Sequence, residues 1–189
     1  MTLTSQLQQA LQLSVQEAKL AESLFTPVSF NKGDVIISPL QHTCPLYYIT
    51  AGFVRVYALQ DGKEITQWIG SPHYFMTDLS AWIFGSPIKW TIEAITLVKA
   101  LCITKSDYAI LASQVAHWQE KERGFIGHCF EQMEQRIFQF ISLSAEQRYA
   151  VFFKQLGSLF NEVPHQYIAS MLGMTPETLS RIRKKVAKE

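Results

Sequence analysis

Cysteine is scarce in this chain. Cys44, Cys102 and Cys129 are its three thiols, and none stands at CxxC spacing from another, so neither a disulfide framework nor an iron–sulfur cluster is expected. An odd, scattered set of thiols suits a reducing compartment, and a cytoplasmic protein is expected. No run of about eighteen apolar residues exists, so no membrane span or membrane partner is expected. The opening residues Met1–Thr2–Leu3–Thr4–Ser5–Gln6 lack the cationic start of a secretion signal. Net charge is only +1, which gives no whole-surface attraction to a polyanion. Catalytic patterns are also missing. No Ser–His–Asp or paired-carboxylate arrangement stands out, and His42 and His73 are too isolated to be the clustered His/Glu ligands of a metal-dependent β-barrel enzyme. His42, His73 and His128 are read as surface or core residues rather than haem ligands. No enzyme, metal or cofactor is therefore expected, nor is there a low-complexity tract or an internal repeat.

What remains is an ordinary globular composition, 48% hydrophobic and 17% charged over 189 residues, long enough for one large or two small cores. Its first hundred residues begin with a helical stretch. There Ser14–Val15–Gln16–Glu17 is a capping box for a helix to about Phe25. Short β-branched and aromatic runs follow: Val35–Ile37, Leu46–Ile49, Phe53–Tyr57, Ile65–Ile69 and Thr91–Ile95. Turn clusters such as Lys32–Gly33–Asp34, Ala51–Gly52 and Gly70–Ser71–Pro72 separate them, and Asp61–Gly62 is a strong hairpin signal. Regular spacing of this kind predicts a sandwich or barrel.

From about Ser106 the pattern turns helical, with Ser106–Asp107 able to cap a short helix through Ala112. A long helix is predicted from near His117 to near Ile141. It carries Trp118, Phe125, Ile126, Cys129, Phe130, Met133, Ile137, Phe140 and Ile141, too many apolar groups for one narrow stripe. Either the helix has a single wide core face, or it packs on the β-domain with one side and on a second copy of itself with the other. Ser144–Ala145–Glu146–Gln147 is a second capping box, starting a helix with Tyr149, Val151, Phe152 and Leu156 that ends at Gly157.

The segment from Val163 to Lys185 reads as a helix-turn-helix. Ile168, Ala169 and Leu172 make an apolar stripe on the first helix, and Leu179 and Ile182 on the second, with Gly173 in the turn between. Thr175 suits the N-cap and Pro176 the first helical position. Glu177, Ser180, Arg181, Lys184 and Lys185 fall on the face away from Leu179 and Ile182. An Arg can pair bidentately with guanine, and a Glu can accept from cytosine. Glu177 and Arg181, four apart, are neighbours on that face, while Lys184, Lys185 and Lys188 are placed to meet phosphates. From Pro176 to Glu189 five basic residues stand against two acidic ones, so the charge asymmetry is local. The plainer explanation, that Glu177 and the lysines only complement the helix dipole, does not account for the turn, cap, proline and basic tail arriving in order.

Taken together, these parts resemble the cyclic-AMP receptor protein/FNR (Crp/Fnr) family of bacterial transcription regulators along almost the whole chain. Phe30–Asn31–Lys32–Gly33–Asp34–Val35–Ile36 and Leu46 through Val56 look like the opening strands of that family's β-roll, and the long helix looks like its dimerisation helix. Ile168 to Gly173 and Thr178 to Ile182 look like its helix-turn-helix. The resemblance implies an α+β architecture: a cyclic-nucleotide-binding-type β-roll over 1–115, a dimerisation helix over 116–142 and a DNA-binding domain over 143–189. It also implies base-reading roles for Glu177 and Arg181, with Ser180 the small residue between them, and a phosphate contact for Gln166. Thr175, Pro176 and Thr178 lie at the same DNA-facing helix start.

Two departures shape the expected function. The family's nucleotide cassette uses a Gly-Glu pair for the ribose and, further on, an Arg for the cyclic phosphate. Here Thr77 and Asp78 replace Gly and Glu, Ile88 replaces Arg, and bulky Trp90 stands where a small residue is expected. A buried phosphate lacking its cation is costly. Lys89 is adjacent, but in a strand it would point to the other face. Cyclic AMP is therefore not expected to be the effector, and the pocket formed by Thr77, Asp78, Ile88, Lys89 and Trp90 is expected to take something else or nothing. The second departure is the absence of the family's C-terminal β-hairpin wing, from which modest, salt-sensitive DNA affinity is expected. The sequence thus points to a homodimeric regulator that binds a palindromic double-stranded operator and works with RNA polymerase. The alternative is a ligand-binding or protein-interaction module whose helix-turn-helix is a vestige.

Overall fold

The computed structural model describes residues 2–157 and 159–186. Lys188, expected at a phosphate, lies outside the described residues. The chain opens with α1 (Leu3–Leu11) and α2 (Val15–Ser23). Ser14 accepts from the Glu17 amide while the Glu17 carboxylate accepts from the Ser14 amide, so the first capping box is formed. The helix ends two residues short of Phe25 because strand β1 (Thr26–Phe30) begins at once.

Eight strands then build two antiparallel four-stranded sheets. Besides β1 they are β2 (Val35–Ile37), β3 (Leu46–Ala51), β4 (Val54–Gln60), β5 (Lys63–Gly70), β6 (Phe75–Met76), β7 (Thr91–Ala94) and β8 (Val98–Ile103). One sheet runs β1-β8-β3-β6 and the other β2-β7-β4-β5. Alternation places Ile37, Ile49, Val54, Val56, Ile92, Val98 and Ala100 in the core between them. Asp61 and Gly62, with φ of 51° and 74°, form the two-residue turn joining β4 to β5. The sequence runs do not announce β1, whose Pro27 is tolerated because β1 is an edge strand. They also miss β8, where exposed Lys99 interrupts the apolar run, and two-residue β6.

The remaining elements are helical: α3 (Leu79–Phe84), α4 (Lys105–Gln114), α5 (Trp118–Ser142), α6 (Ala145–Leu156), α7 (Leu159–Glu162), α8 (His165–Met171) and α9 (Pro176–Val186). The cap of α4 is Thr104 rather than Ser106–Asp107. Its hydroxyl accepts from the Asp107 amide, and the helix runs past Ala112 to Gln114. The second capping box, Ser144 with Gln147, is formed at the start of α6.

The long helix divides its apolar residues between two sides. Trp118 and Phe125 join a core with Leu3, Leu7, Leu11, Trp82 and Leu111, and Phe125 meets Phe75 edge-on with centroids 5.8 Å apart. Phe130, Met133, Ile137 and Ile141 stay exposed, Phe130 at 66% and Ile137 at 58%. Ile126, Phe130, Met133, Ile137 and Phe140 recur in steps of four and three, the 3.5-residue period of a coiled-coil seam, with Ile141 beside them. No helix among the described residues is long and apolar enough to cross a membrane.

Gly52 tests the tight join between β3 and β4. Its φ is +84°, and a Cβ there would stand 2.2 Å from the Leu97 carbonyl oxygen. Gly52→Ala is expected to lower stability by about 2 kcal/mol or more in urea unfolding. A loss within about 0.5 kcal/mol, typical of a neutral surface change, would show that the turn is not constrained.

Candidate nucleic-acid interface and effector groove

The C-terminal corner is built on apolar burial. Ile168 and Ala169 on α8, Leu172 at its end, and Leu179 and Ile182 on α9 all pack into one core with Tyr149, Phe152, Leu159 and Phe160. Gly173 takes φ +65°, and the turn closes by bonds from the Gly173 amide to Ser170 O and from the Met174 amide to Ala169 O, both 3.0 Å. Thr175 caps α9: its hydroxyl accepts from the Thr178 amide at 3.2 Å, and Pro176 is the first helical residue.

The apolar stripe turns the other face outward. Glu177, Ser180, Arg181 and Lys184 are exposed at spacings of three and four, one continuous helix face. The Glu177 carboxyl is held below its ordinary pKa by its own amide and by the Thr175 hydroxyl, so it is an ionised acceptor. Arg181 reaches half-buried Thr178 at 3.4 Å. Gln166 is exposed in the first turn of α8. Lys185 differs from Lys184, because its ammonium bridges to Glu146 on α6 at 2.9 Å. Arg183 is also engaged, against the His165 ring nitrogens and 4.9 Å from the Phe160 ring centre.

The corner is not separate from the β-roll. Arg55 on β4, only 2% exposed, carries its guanidinium 4.3 Å from the Tyr57 ring centre and 3.9 Å from that of Tyr167 on α8. Its Nε donates to Thr66 Oγ1 at 2.9 Å and its Nη1 to the Glu64 carboxylate at 2.6 Å. The Thr66 amide donates to Ser170 Oγ on α8 at 2.9 Å. Two more arginines hold the same corner from its other side. Arg148 donates to Leu172 O at 3.0 Å, and Arg136 to Met171 O at 2.9 Å. Sequence reasoning missed all three arginines. The available signal was Arg55 itself, a cation inside the apolar run Phe53–Tyr57.

The five expected effector-pocket residues do gather, at the β6–α3 junction and the loop before β7, but the polar groups of Thr77 and Asp78 are bonded to the protein's own backbone. Asp78 is 1% exposed and caps α3, with Oδ1 accepting from the Ala81 amide at 3.2 Å. Its Oδ2 accepts from the amides of Lys89 and Trp90 at 2.8 and 3.1 Å. The Thr77 hydroxyl donates to Pro45 O at 2.9 Å. Ile88 is buried in the inter-sheet core, against which Trp90 packs. Lys89 and Trp90 precede β7, so strand alternation does not set the direction of Lys89. Its ammonium instead lies 5.1 Å from the Trp90 ring centre. A wide groove between α5 and the β-roll is lined by Thr77, Asp78 and Trp90 together with Trp68, Tyr74 and Arg136. Among the described residues no group of three or more His, Cys, Asp or Glu side chains could hold a metal ion.

Against known proteins, residues 27–114 match the family model of the cyclic nucleotide-binding domain. Solved structures match over nearly the whole chain. FixK2 from Bradyrhizobium japonicum aligns at TM-score 0.74 and 20% identity, over 87% of this chain and 85% of its own. Its fold is that of the Crp/Fnr regulators. A transcriptional regulator of the Crp/Fnr family from Eubacterium rectale aligns at TM-score 0.68 and 22% identity, over 92% and 83%. The Thermus thermophilus Catabolite Activator Protein aligns at 0.59 and 20%, over 95% and 87%. No curated protein sequence matches the chain. Within this Crp/Fnr fold the β-roll, the long helix and the C-terminal helices stand in the order that the resemblance implied.

Asp78 gives a direct check on the closed cassette. Asp78→Ala removes the acceptor of three amides and is expected to cost about 3 kcal/mol of stability in urea unfolding. A near-neutral change would mean that the carboxylate is free to serve a ligand.

Proposed function

We propose that the protein is a homodimeric, sequence-specific DNA-binding regulator of transcription that works with RNA polymerase and is not controlled by cyclic AMP. The observation that carries this reading is the outward face of α9. An acceptor, a small residue, a bidentate donor and a cation follow one another on a helix whose opposite side is fully buried. Glu177 faces cytosine and Arg181 guanine in the major groove, while Lys184 and Gln166 meet phosphates. Lys185 joins them only by leaving Glu146, an exposed pair worth little.

The bare seam of Phe130, Met133, Ile137 and Ile141 favours a second copy as its cover. Large apolar side chains at heptad spacing bury well against the same stripe on a two-fold-related helix. The dimer then carries two α9 helices about 34 Å apart, one DNA turn, and its operator is an inverted repeat. Against cyclic AMP stand buried Ile88 in place of the cation and an Asp78 already bonded to three amides.

Selection of duplexes from a random pool, followed by gel shift, is expected to enrich a palindrome. Arg181→Ala should then lose about 1–3 kcal/mol of discrimination at one symmetric base pair, whereas Lys184→Ala weakens every sequence alike. Equal weakening by both changes would refute the base-reading role of Arg181, and no enrichment would leave the vestigial helix-turn-helix. Ile137→Glu should give a monomer in sedimentation equilibrium. A dimer that survives this change would place the interface elsewhere.

A further inference from the structure

Arg136 is a cation to which the described residues offer no anion. It projects from α5 toward the β-roll, 5.0 Å from the Trp68 ring centre and 5.6 Å from that of Phe140. Among the described residues its hydrogen bond, to Met171 O, is with a neutral carbonyl. Among the described residues no carboxylate pairs with it. Burial pushes its pKa down to about 10, so it still carries its charge at neutral pH. A charge partly withdrawn from water in this way is favoured by an opposite one nearby.

The surroundings of Arg136 say what kind of anion fits. The groove it lines is walled by Trp68, Tyr74 and Trp90, with Val56 and Met76 beside them. Trp68 and Tyr74 are tilted against each other with centroids 6.1 Å apart, leaving ring faces and edges for a further ring. A ribose would not find Asp78 or Thr77 here, since both are spent on backbone groups.

We propose that this groove binds a small aromatic carboxylate, its ring among Trp68, Tyr74 and Trp90 and its carboxylate on Arg136. Planar guanidinium and carboxylate groups pair through two parallel bonds. That pairing turns the donor edge of Arg136 toward the groove and takes it from the Met171 carbonyl at the end of α8. Ligand binding is thereby coupled to how α8 is held, and the ligand favours whichever pose of the corner lacks the Arg136–Met171 bond. The proposal rests on the reading of the chain as a regulator of transcription and supplies a class of effector for it.

The test is calorimetry on the full chain without DNA, titrating benzoate, indole-3-acetate, the neutral indole-3-acetamide and cyclic AMP. One of the two acids is expected to saturate at one per chain with a Kd of about 1 mM or tighter. The acetamide should bind about tenfold or more weakly, a difference of about 1.4 kcal/mol, and cyclic AMP more weakly than the acids. Arg136→Gln should abolish the acid's advantage over the amide and Arg136→Lys should keep part of it. The acid-to-amide comparison on the unaltered protein stands even where a variant fails to fold. The proposal is overturned if neither acid binds, if acid and amide bind alike, or if cyclic AMP binds more tightly. Absence of binding to every ligand also results if a carboxylate of a second copy already occupies Arg136, and that too overturns it. The titration contains no DNA, so its failure leaves the DNA-binding reading untouched, and failure of the gel shift leaves the titration valid.

Discussion

A single buried guanidinium joins the two halves of this molecule. Arg55 rises from the outer face of a β-strand, a surface that in a free sheet would face water, and lies instead between the rings of Tyr57 and Tyr167. Its Nε donates to Thr66 and its Nη1 to the Glu64 carboxylate, so the charge has both a hydrogen-bond partner and an opposite charge beside it. Such an arrangement tolerates no half measures. A buried cation left without one of its partners costs far more than the partner's own contact energy. The α8–α9 corner therefore sits on the β-roll in a defined pose, with the Thr66 amide to Ser170 bond fixing its register along β5.

That pose frames the remaining contacts. Around the corner, Arg136 and Arg148 donate to carbonyls at the C-terminal end of α8, the end where helical carbonyls lack internal partners. Phe140 closes the same side, so near the Gly173 turn that a Cβ there would stand 2.7 Å from its ring. The β-roll, the long helix and the α8–α9 corner are thus joined by hydrogen bonds, Thr66 to Ser170 between sheet and corner and Arg136 to Met171 between long helix and corner.

The local rules of the sequence were strong where chemistry acts over a few residues. Both capping boxes, the Asp61–Gly62 turn, the extent of the long helix and the Thr175–Pro176 start of α9 follow from spacing alone. The two-sided character of α5 was open in the sequence, and only the packing of Phe125 against Phe75, with Phe130 and Ile137 left bare, divides its residues. What spacing hides is contact across long separations. Ser170 meets Thr66, and Asp78 meets the amides of Lys89 and Trp90, through folding of the whole chain. Asp78 is the instructive residue. Compared position by position with a nucleotide cassette it looks like a ligand group, yet its two oxygens hold the protein's own backbone.

The central claim is that two copies of α9, carried by a two-fold dimer, enter successive major grooves of one duplex. Hydroxyl-radical footprinting on an enriched duplex tests it most directly. The account predicts two protected patches, symmetric about a centre and about 34 Å apart along one face of the DNA. A single patch, or uniform protection without a symmetry centre, would contradict it.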